Sequence, residues 1–531
     1  MDETYDYIVV GAGSAGCAVA NRLSQRPDIR VLLVEAGGKP NSYWFKVPLG
    51  IGKLMIDRAI WRYWSESELG GRSIEWPHGR VLGGSSSVNG MLYVRGEPRR
   101  HDEWRDAGCP GWGYYDVLPY FKRLEDCPFG DPAVRGRGGP TPVTEINIDD
   151  PISEAFVAAC REMGMPVIAD YNGQLSEGVC RIQMNTRRGM RSSVVDGYLR
   201  PAKGRANLTV RLDLPVDRVI VDGNRATGIA FRVDGQQHTT VARREVIVSA
   251  GTYHSPHLLE LSGIGNSEIL GKFGISVVKH LPGVGENLRD HLHPRITFET
   301  DRAVTVNDML RSRWRGGREM VRWLLFRRGL FITNSFKVMA YARGNATAPY
   351  PDIRIQCQLF SGPARNLGKD LDPFSGFQLG AYFLYPASRG YVHLTSPDPN
   401  TAPALRANYL ADEADLTETI QAVKLARRIS RQSAFRSVIV RETRPGPKVA
   451  TDDELKDYIF ETGQSSHHPI GTCRMGTDRD AVVDPQLRVH GIACLRVADA
   501  SVMPFHTSSN TNVPSIMIGE KAADLILQDT D

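Results

Sequence analysis

The chain opens on two short apolar runs separated by a helix-like segment. Residues 6–10 are DYIVV and residues 31–35 are VLLVE, and each has the length and composition of a buried parallel strand. Residues 15–25, AGCAVANRLSQ, carry the small and apolar residues of a helix that packs on such strands. This order predicts a βαβ unit at the start of the chain.

The later hydrophobic patterns predict a second, different kind of domain. Residues 209–233 are predicted as strands joined by a turn at Asp222-Gly223-Asn224, and residues 244–265 as a buried strand that runs into a helix. Residues 40–80 are rich in Gly, Pro and Trp and are predicted as loop, and residues 128–150 as a domain boundary. Residues 295–460 contain alternating strands and two helix-like stretches, which indicates a mixed α+β domain.

A glycine-rich turn joins the first predicted strand to the first helix. Gly11, Gly13 and Gly16 have the spacing G-x-G-x-x-G. The first glycine of this pattern allows a tight turn, the second lets the backbone approach a pyrophosphate, and the third lets helix and strand pack closely. Glu35 ends the second strand, where a carboxylate accepts hydrogen bonds from ribose hydroxyls. The pattern predicts a bound dinucleotide, FAD or NAD, and the acid disfavours the 2′-phosphate of NADP.

Composition excludes several other classes of protein. The net charge of +5, with 41% hydrophobic and 24% charged residues, is ordinary for a soluble globular protein. No nucleic-acid-binding motif accompanies this charge, so we expect no nucleic acid partner. The eight cysteines are scattered without a C-x-x-C pair, which favours a reducing compartment over a disulfide framework or a metal site. The sequence shows no signal-peptide pattern and no transmembrane run, so we expect a cytoplasmic protein.

Several longer motifs, in a fixed order along the whole chain, resemble the glucose-methanol-choline (GMC) oxidoreductase family, and within it the choline-dehydrogenase-like and alcohol-dehydrogenase branch. Besides the N-terminal fingerprint, these motifs are GRVLGGSSSVNGMLYVRGEPRRHD at 79–102, GTYHSPHLLELSGIG at 251–265, HHPIGTCRMG at 467–476, LRVADAS at 495–501 and NTNVPSIMIGEKAADLI at 510–526. The resemblance implies FAD as the cofactor and oxidation of the CH–OH group of an alcohol as the reaction.

The resemblance also implies a fold, of class α/β plus α+β. A Rossmann-like FAD-binding domain would comprise residues 1–149, 193–294 and 462–531. A discontinuous substrate domain, built on an antiparallel sheet, would comprise residues 150–192 and 295–461.

The fingerprint and the resemblance together give a set of expected FAD-binding residues. The set is Gly11, Gly13, Ser14, Ala15, Gly16, Glu35, Ala36, Gly83, Gly84, Asn89, Gly90, Met91, Leu92, Val216, Ala250, Gly251, Asp499, Ala500, Asn510, Asn512 and Val513. Some relatives hold FAD covalently through a histidine immediately before the residue that corresponds to Asn89. Here that position is Val88, which cannot form the link, so we expect noncovalent FAD.

The resemblance places a catalytic pair in the C-terminal motifs. His468 precedes Pro-Ile-Gly-Thr, as the catalytic histidine does in relatives, and a neutral imidazole suits a base that removes a hydroxyl proton. Asn512 corresponds to the second active-site position and would donate to the developing alkoxide. His467 is expected to form pocket wall because successive side chains diverge. His291 and His293 are expected to be structural.

The substrate and the electron acceptor are less determined. Choline-oxidising relatives carry a glutamate where this chain has Lys337, which would repel a trimethylammonium group, so we expect a neutral primary alcohol unless Lys337 points to solvent. The acceptor is oxygen or a quinone. Residues 311–331 are basic and aromatic, and they form either an amphipathic helix on the core or a peripheral contact with an anionic membrane.

Three functions other than alcohol oxidation are considered as alternatives. The same fold hosts flavin-containing hydroxynitrile lyases, which is the main alternative. A light-driven decarboxylase is disfavoured because such relatives lack the histidine found at 468, and a flavin-storing protein because His468 and Asn512 occur together.

Overall fold

The first apolar run forms a central strand of a seven-stranded sheet. In the computed structural model, which describes residues 4–55, 58–173, 177–363 and 370–529, this strand is Thr4–Val10. It pairs in parallel with Val31–Val34 on one side and with Gln236–Val248 on the other. The buried apolar side chains of these strands form the centre of the main hydrophobic core.

We call this sheet the first sheet. Leu208–Arg211 extends it in parallel beyond Val31–Val34, and Leu495–Val497 pairs in parallel with the end of Gln236–Val248. The beginning of Gln236–Val248 instead pairs with Arg225–Val233, which pairs with Val216–Asp222, both antiparallel. The long strand therefore joins a parallel nucleotide-binding arrangement to an antiparallel extension.

The two ends of the chain meet beside the first sheet. The helix Ser14–Leu23 packs against the final helix, Asn512–Gln528. A Cβ atom at Gly519 of the final helix would lie 2.5 Å from the carbonyl oxygen of Ala15. Only glycine permits so close an approach of the two backbones.

A second sheet, also of seven strands, lies across the cavity described below. Its strands pair antiparallel except for Val167–Ile168 and Gly178–Arg181, which pair in parallel. The helices Glu413–Ser430 and Pro151–Glu162 pack on it. In spatial order the strands are Arg441–Arg444, Arg295–Glu299, Gly376–Phe383, Ile353–Gln358, Phe336–Ala342, Gly178–Arg181 and Val167–Ile168.

Shorter elements connect the two sheets. The remaining α-helices are Ile51–Leu54, Pro98–Asp106, Tyr114–Leu124, Gly251–Leu261, Ser267–Lys272, Val306–Arg311, Arg313–Phe326, Ser433–Arg436 and Asp452–Thr462. The remaining strand pairs are Ile60–Trp64 with Glu75–Gly79, Glu125–Asp126 with Thr141–Pro142, Thr144–Glu145 with Gln183–Met184, Thr186–Arg187 with Met190–Arg191, Ile264–Gly265 with Lys279–His280, Leu292–His293 with Gln464–Ser465, and Tyr391–His393 with Ala404–Arg406.

The structure confirms the predicted fold class, and it corrects one local prediction. Within the segment 40–80, predicted as loop, Ile60–Trp64 and Glu75–Gly79 form a hairpin. Its Trp76 stacks on Tyr253 with 5.4 Å between ring centroids, so a tertiary contact outweighs the glycine and proline content. All strands of the first sheet lie in the ranges expected for the FAD-binding domain, and the division into domains stays a prediction.

The described residues contain no helix that is both long and apolar enough to cross a membrane. In those same ranges there is no group of three or more metal-ligating side chains, and the eight cysteines are free thiols.

Candidate active site

A single large cavity, of about 1360 Å³, runs from the glycine turn at the carboxyl ends of the first sheet to the face of the second sheet. It is larger than a usual small-molecule pocket, which holds roughly 300–1,000 Å³, and so has room for a dinucleotide together with a substrate. The predicted site residues in its wall are Gly11, Gly13, Ser14, Ala15, Glu35, Ala36, Gly84, Asn89, Gly90, Met91, Leu92, Val216, Ala250, Gly251, His467, His468, Asp499, Ala500, Asn510 and Asn512.

The three glycines of the fingerprint differ in what surrounds them. A Cβ atom at Gly16 would lie 2.0 Å from the carbonyl oxygen of Gly11, and Gly11 itself has φ +101°. Gly13, by contrast, has no atom within 4 Å of the place a Cβ would take. No side chain caps the helix that starts at Ser14, so its N–H groups and positive dipole end face the cavity. This end of the cavity fits a pyrophosphate.

Glu35 stands at the nucleotide end and is held by two backbone groups. Its Oε2 accepts from Ala12 N and its Oε1 from Gly37 N, both at 3.0 Å. Burial raises the pKa of Glu35 to about 7, against the lowering effect of the two N–H groups. Each carboxylate oxygen keeps a second lone pair for a ribose hydroxyl.

The serine-rich segment at 83–92 lies directly on the glycine turn. A Cβ at Gly84 would lie 2.8 Å from the Cα of Gly13. Asn89 accepts hydrogen bonds at its Oδ1 from Met91 N, at 2.9 Å, and from Arg191 Nη1, at 3.0 Å. The side chain of Asn89 therefore fixes the turn in which Met91 adopts a φ of +60° at the cavity wall.

Asp499 is engaged by the protein itself. Its Oδ2 accepts from Gly251 N at 2.8 Å and from Ser255 Oγ at 2.6 Å, and its Oδ1 accepts from Ser501 N at 2.8 Å. The carboxylate thereby positions the N-terminus of the helix Gly251–Leu261 in the cavity wall. Gly16, Gly83 and Val513 lie outside the wall and act through packing.

His468 stands at the other end of the cavity and contacts Asn510. Its Nε2 lies 2.8 Å from Asn510 Nδ2, and its Nδ1 lies 3.2 Å from Nδ1 of the buried His291. Asp290 holds the backbone, because its Oδ1 accepts from His468 N at 2.8 Å. Burial, with His291 and then Arg354 as further causes, lowers the pKa of His468 well below its usual value, so the imidazole is neutral at physiological pH.

The asparagine beside the histidine is not the one predicted. Asn512 accepts from Ser14 Oγ at 2.7 Å and points its Nδ2 to Asn185 Oδ1 at 3.4 Å, so it lies by the glycine turn. Asn510, which had been expected to bind only the cofactor, takes the place beside His468. The two residues are two positions apart, and the final helix begins at the second of them, Asn512.

Two family profiles described as GMC oxidoreductase match this chain, one over residues 5–293 and the other over residues 386–519. The chain belongs to the GMC oxidoreductase family.

Several GMC relatives resemble the chain over nearly its full length. It is 40% identical to the oxygen-dependent choline dehydrogenase of Vibrio vulnificus, over 99% of this chain and 95% of that protein. The crystal structure of pyridoxine 4-oxidase from Mesorbium loti has a TM-score of 0.89 and 30% identity, with 98% of each chain covered. A fungal aryl-alcohol oxidase has the same fold, with a TM-score of 0.87, 24% identity and full coverage of both chains.

The prediction that Lys337 approaches the substrate is wrong, and so is the alternative that it points to solvent. Lys337 is 4% exposed and lies outside the cavity wall, where its Nζ pairs with Asp149 and, at 3.0 Å, with Asp150. Its neighbour Phe336 lines the cavity instead, because successive residues of a strand face opposite sides. Lys337 therefore carries no information about choline in this GMC protein.

Three residues of the GMC site were missed. Arg354 Nη1 donates to Asn510 Oδ1 at 2.7 Å, and Gln356 and Tyr382 line the cavity on the same side of the second sheet. Alternation along Ile353–Gln358 places Arg354 and Gln356 on one face, but the sequence does not show which face meets the cavity.

The fingerprint glycines generate a prediction in which two alanine substitutions act differently. Gly16→Ala should destabilise the FAD-free protein by about 1–3 kcal/mol, because the new methyl group collides with the Gly11 carbonyl. Gly13→Ala should leave that stability within about 0.5 kcal/mol, because its Cβ meets no protein atom, yet should lose bound FAD. Urea unfolding of FAD-free protein and the flavin content after purification measure the two effects.

The two substitutions control for each other. If Gly13→Ala retains FAD with wild-type affinity, the pyrophosphate does not lie at Gly13. If Gly16→Ala leaves the unfolding midpoint unchanged, the close helix–strand contact does not contribute to stability.

Proposed function

We propose that this GMC oxidoreductase oxidises a neutral primary alcohol to the aldehyde, with His468 as the base and bound FAD as the hydride acceptor. The observation that carries the proposal is the pair His468–Asn510 at one end of a continuous cavity whose other end has a dinucleotide-binding turn. The relatives named above are likewise oxidases and dehydrogenases, and no observation favours a hydroxynitrile lyase.

The geometry of the pair assigns a task to each side chain. When the alcohol binds, its hydroxyl would replace the Asn510 N–H at the lone pair of His468 Nε2, which takes the hydroxyl proton. The Asn510 Nδ2 group that is released would then donate to the alkoxide that develops. Bound FAD supplies the electron sink for the hydride of the carbinol carbon. The neutral state of His468 prepares it to accept the proton.

The wall around the pair favours an uncharged substrate. The carboxylates of the described cavity wall are Glu35 and Asp499, which stand at the nucleotide end. The rest of the wall contains Arg295, which acts electrostatically on His467, together with the apolar Phe331, Phe336 and Phe360. A cationic substrate such as choline would meet this cation without a carboxylate to pair with, which is unfavourable.

Anaerobic flavin reduction tests this function. We expect primary alkyl or aryl alcohols to bleach the oxidised flavin spectrum faster than choline of similar size. His468→Ala should lower the reduction rate by roughly 10²–10⁴ and retain FAD, because a positioned base is lost. Asn510→Ala should lower it by roughly 10²–10³, the effect of one lost donor to a developing oxyanion. Stopped-flow absorbance at saturating alcohol measures each rate independently of the natural electron acceptor.

Asn512→Ala is the matched control, because it removes the same side chain two residues away. It should slow reduction less than Asn510→Ala does. The proposal fails if His468→Ala reduces flavin at the wild-type rate, and the substrate assignment fails if choline is preferred. A substrate that turns over without any bleaching would indicate a lyase.

We propose in addition that FAD is bound noncovalently. Val88 stands where some relatives carry the linking histidine, and it is buried in an apolar cluster with Phe45, Leu54, Ile60 and Val81. An alkyl side chain has no atom that can form a bond to the flavin ring.

Acid precipitation checks this directly. We expect all the yellow flavin in the supernatant after trichloroacetic acid treatment of wild-type protein, because no covalent bond retains it. Flavin fluorescence in the washed pellet would contradict noncovalent binding. Denaturation in guanidinium followed by gel filtration serves as the acid-free control.

We propose further that residues 311–331 form a peripheral contact with an anionic membrane, through which a quinone reaches the enzyme. The helix Arg313–Phe326 buries Trp323 against the protein and exposes the opposite side. Its exposed apolar side chains include Trp314 and, at its end, Leu324, Leu325 and Phe326. Seven arginines lie between 311 and 328, and the one acid of that segment, Glu319, is buried. Such a basic and apolar surface is complementary to anionic lipid headgroups.

The position of this surface supports the assignment of the acceptor. Leu310, which is 63% exposed, also belongs to the cavity wall, so the surface adjoins the mouth of the cavity. A lipid-soluble quinone would therefore have a short path from the bilayer to the site.

Vesicle sedimentation tests the membrane contact. The protein should sediment with vesicles that contain phosphatidylglycerol and remain in solution with pure phosphatidylcholine. Each arginine near the surface contributes roughly 1 kcal/mol, so Arg318→Glu should weaken binding about 10-fold or more. Leu324→Ser combined with Leu325→Ser should weaken it at high salt as well, because apolar contacts are not screened.

Tyr115→Ser is the control, since Tyr115 is 81% exposed on a different helix. It should bind vesicles like the wild type. Absence of sedimentation with anionic vesicles at low salt would contradict the membrane contact.

A further inference from the structure

We infer that Arg354 and His291 are positioning residues that fix the tautomer of His468, and thereby determine which imidazole nitrogen receives the substrate proton. The inference rests on the proposed role of His468 as the base. The geometry that carries it is a buried chain of hydrogen bonds from the Arg354 guanidinium through Asn510 and His468 to His291, ending at the backbone carbonyl of Leu384.

At one end of this row of hydrogen bonds, the Arg354 guanidinium can only donate hydrogen bonds. A guanidinium has five N–H donors and no acceptor. Arg354 Nη1 lies 2.7 Å from Asn510 Oδ1, so that atom must be the amide oxygen, which accepts. The amide nitrogen of Asn510 then faces His468 and donates to Nε2 over 2.8 Å. Nε2 of His468 therefore carries a lone pair and no proton.

At the other end of this row of hydrogen bonds, the carbonyl oxygen of Leu384 can only accept a hydrogen bond. The carbonyl oxygen of Leu384 lies 2.8 Å from His291 Nε2, which must donate to it. Because burial lowers the pKa of His291 to about 4, this ring is neutral and its Nδ1 accepts. His468 Nδ1, 3.2 Å away, is then the donor and holds the single ring proton. Both ends thus require the same tautomer of His468.

The charge of Arg354 has a second effect on the base. Arg354 is fully buried, and in the described part of the chain no carboxylate forms an ion pair with it. Its Nη1 is instead hydrogen-bonded to Ser509 Oγ, at 2.5 Å, and to the hydroxyl of Tyr382, at 3.1 Å. An uncompensated cation so close to His468 opposes the imidazolium form and attracts the negative charge that develops on the substrate oxygen.

The groups that surround His291 could also affect the proton on the His468 ring. Besides His468, its ring packs on His506, with centroids 4.0 Å apart, and on Tyr382 at 5.3 Å. His506 Nε2 lies 2.9 Å from the carbonyl oxygen of His468 and burial lowers its pKa well below the usual value, so it adds no charge. No carboxylate contacts His291 in the residues that the structure describes, and His468 keeps a neutral partner throughout.

Substitution at His291 tests the tautomer. His291→Asn places an amide oxygen near the position of Nδ1 and should keep the acceptor for His468, so flavin reduction should stay within about 3-fold of wild type. His291→Leu removes the acceptor and should slow reduction about 10-fold, the effect of one hydrogen bond. FAD content should remain unchanged in both variants. His101→Leu, which removes a buried imidazole outside the cavity wall, is the matched control and should have no effect on the rate.

Nitrogen NMR observes the tautomer without turnover. In protein labelled with ¹⁵N-histidine and free of substrate, the resonances that disappear in His468→Ala belong to His468. We expect the shifts of a protonated Nδ1 and an unprotonated Nε2 in the wild type and in His291→Asn. His291→Leu should show a mixture of the two tautomers. A wild-type spectrum with a protonated Nε2 overturns the inference.

Substitution at Arg354 tests the charge. Arg354→Met should raise the pKa of His468, because the opposing cation is gone, so the acid limb of the reduction rate should move up by about one pH unit or more. Arg354→Lys keeps the charge and should leave the limb near its wild-type position. Arg289→Met is the control, since Arg289 is a buried arginine without contact to the chain of hydrogen bonds.

The outcomes separate this inference from the proposed function. If His468→Ala still reduces flavin at the wild-type rate, the proposed base is wrong. If His468→Ala is inactive while Arg354→Met leaves the pH profile unchanged, or His291→Asn loses as much activity as His291→Leu, only the positioning role is wrong.

Discussion

The structure depends on the close contact of backbones at the glycine turn. The first strand, the first helix, the serine-rich segment and the final helix all meet there at distances that a side chain would forbid, as at Gly16, Gly84 and Gly519. This contact joins the beginning of the chain to its end, and Ser14 and Asn512 are hydrogen-bonded across it. The cavity therefore takes its glycine turn from the N-terminal residues and the proposed catalytic pair from the C-terminal residues.

The reactive end of the cavity is completed by the second sheet. Its face presents Arg354 to Asn510, and Asn510 is thereby held against His468. The final helix begins only two residues later, so a shift of that helix against the first sheet would also move Asn510. His468 and Asn510 themselves lie outside helices and strands, so these neighbouring elements hold the pair in place.

The sequence predicts correctly those features whose geometry is determined by a local motif. The fold class, the βαβ opening and the glycine turn follow from local patterns, and Glu35 and His468 do lie in the cavity wall. The sequence does not predict the direction of a side chain that is set by its tertiary contacts. Lys337 lies on the buried face of its strand that is turned away from the cavity, where it pairs with Asp150, and alternation alone cannot tell the two faces apart. Asn510 and Asn512 belong to the same short motif, and their side chains face different partners because Asn510 precedes the final helix whereas Asn512 is its first residue.

The charges around the cavity explain why one protein can hold an anion and a neutral substrate side by side. At the nucleotide end, attraction for phosphate comes from uncapped N–H groups of the helix beginning at Ser14, whose dipole carries no full charge. At the reactive end, the histidines are neutral because burial lowers their pKa, and Arg354 and Arg295 are the cations nearby. A substrate that arrives uncharged meets no repulsion there, and it becomes attractive to the cations only as its oxygen gains negative charge. In the proposed reaction, binding would therefore strengthen toward the transition state, which is the condition for catalysis.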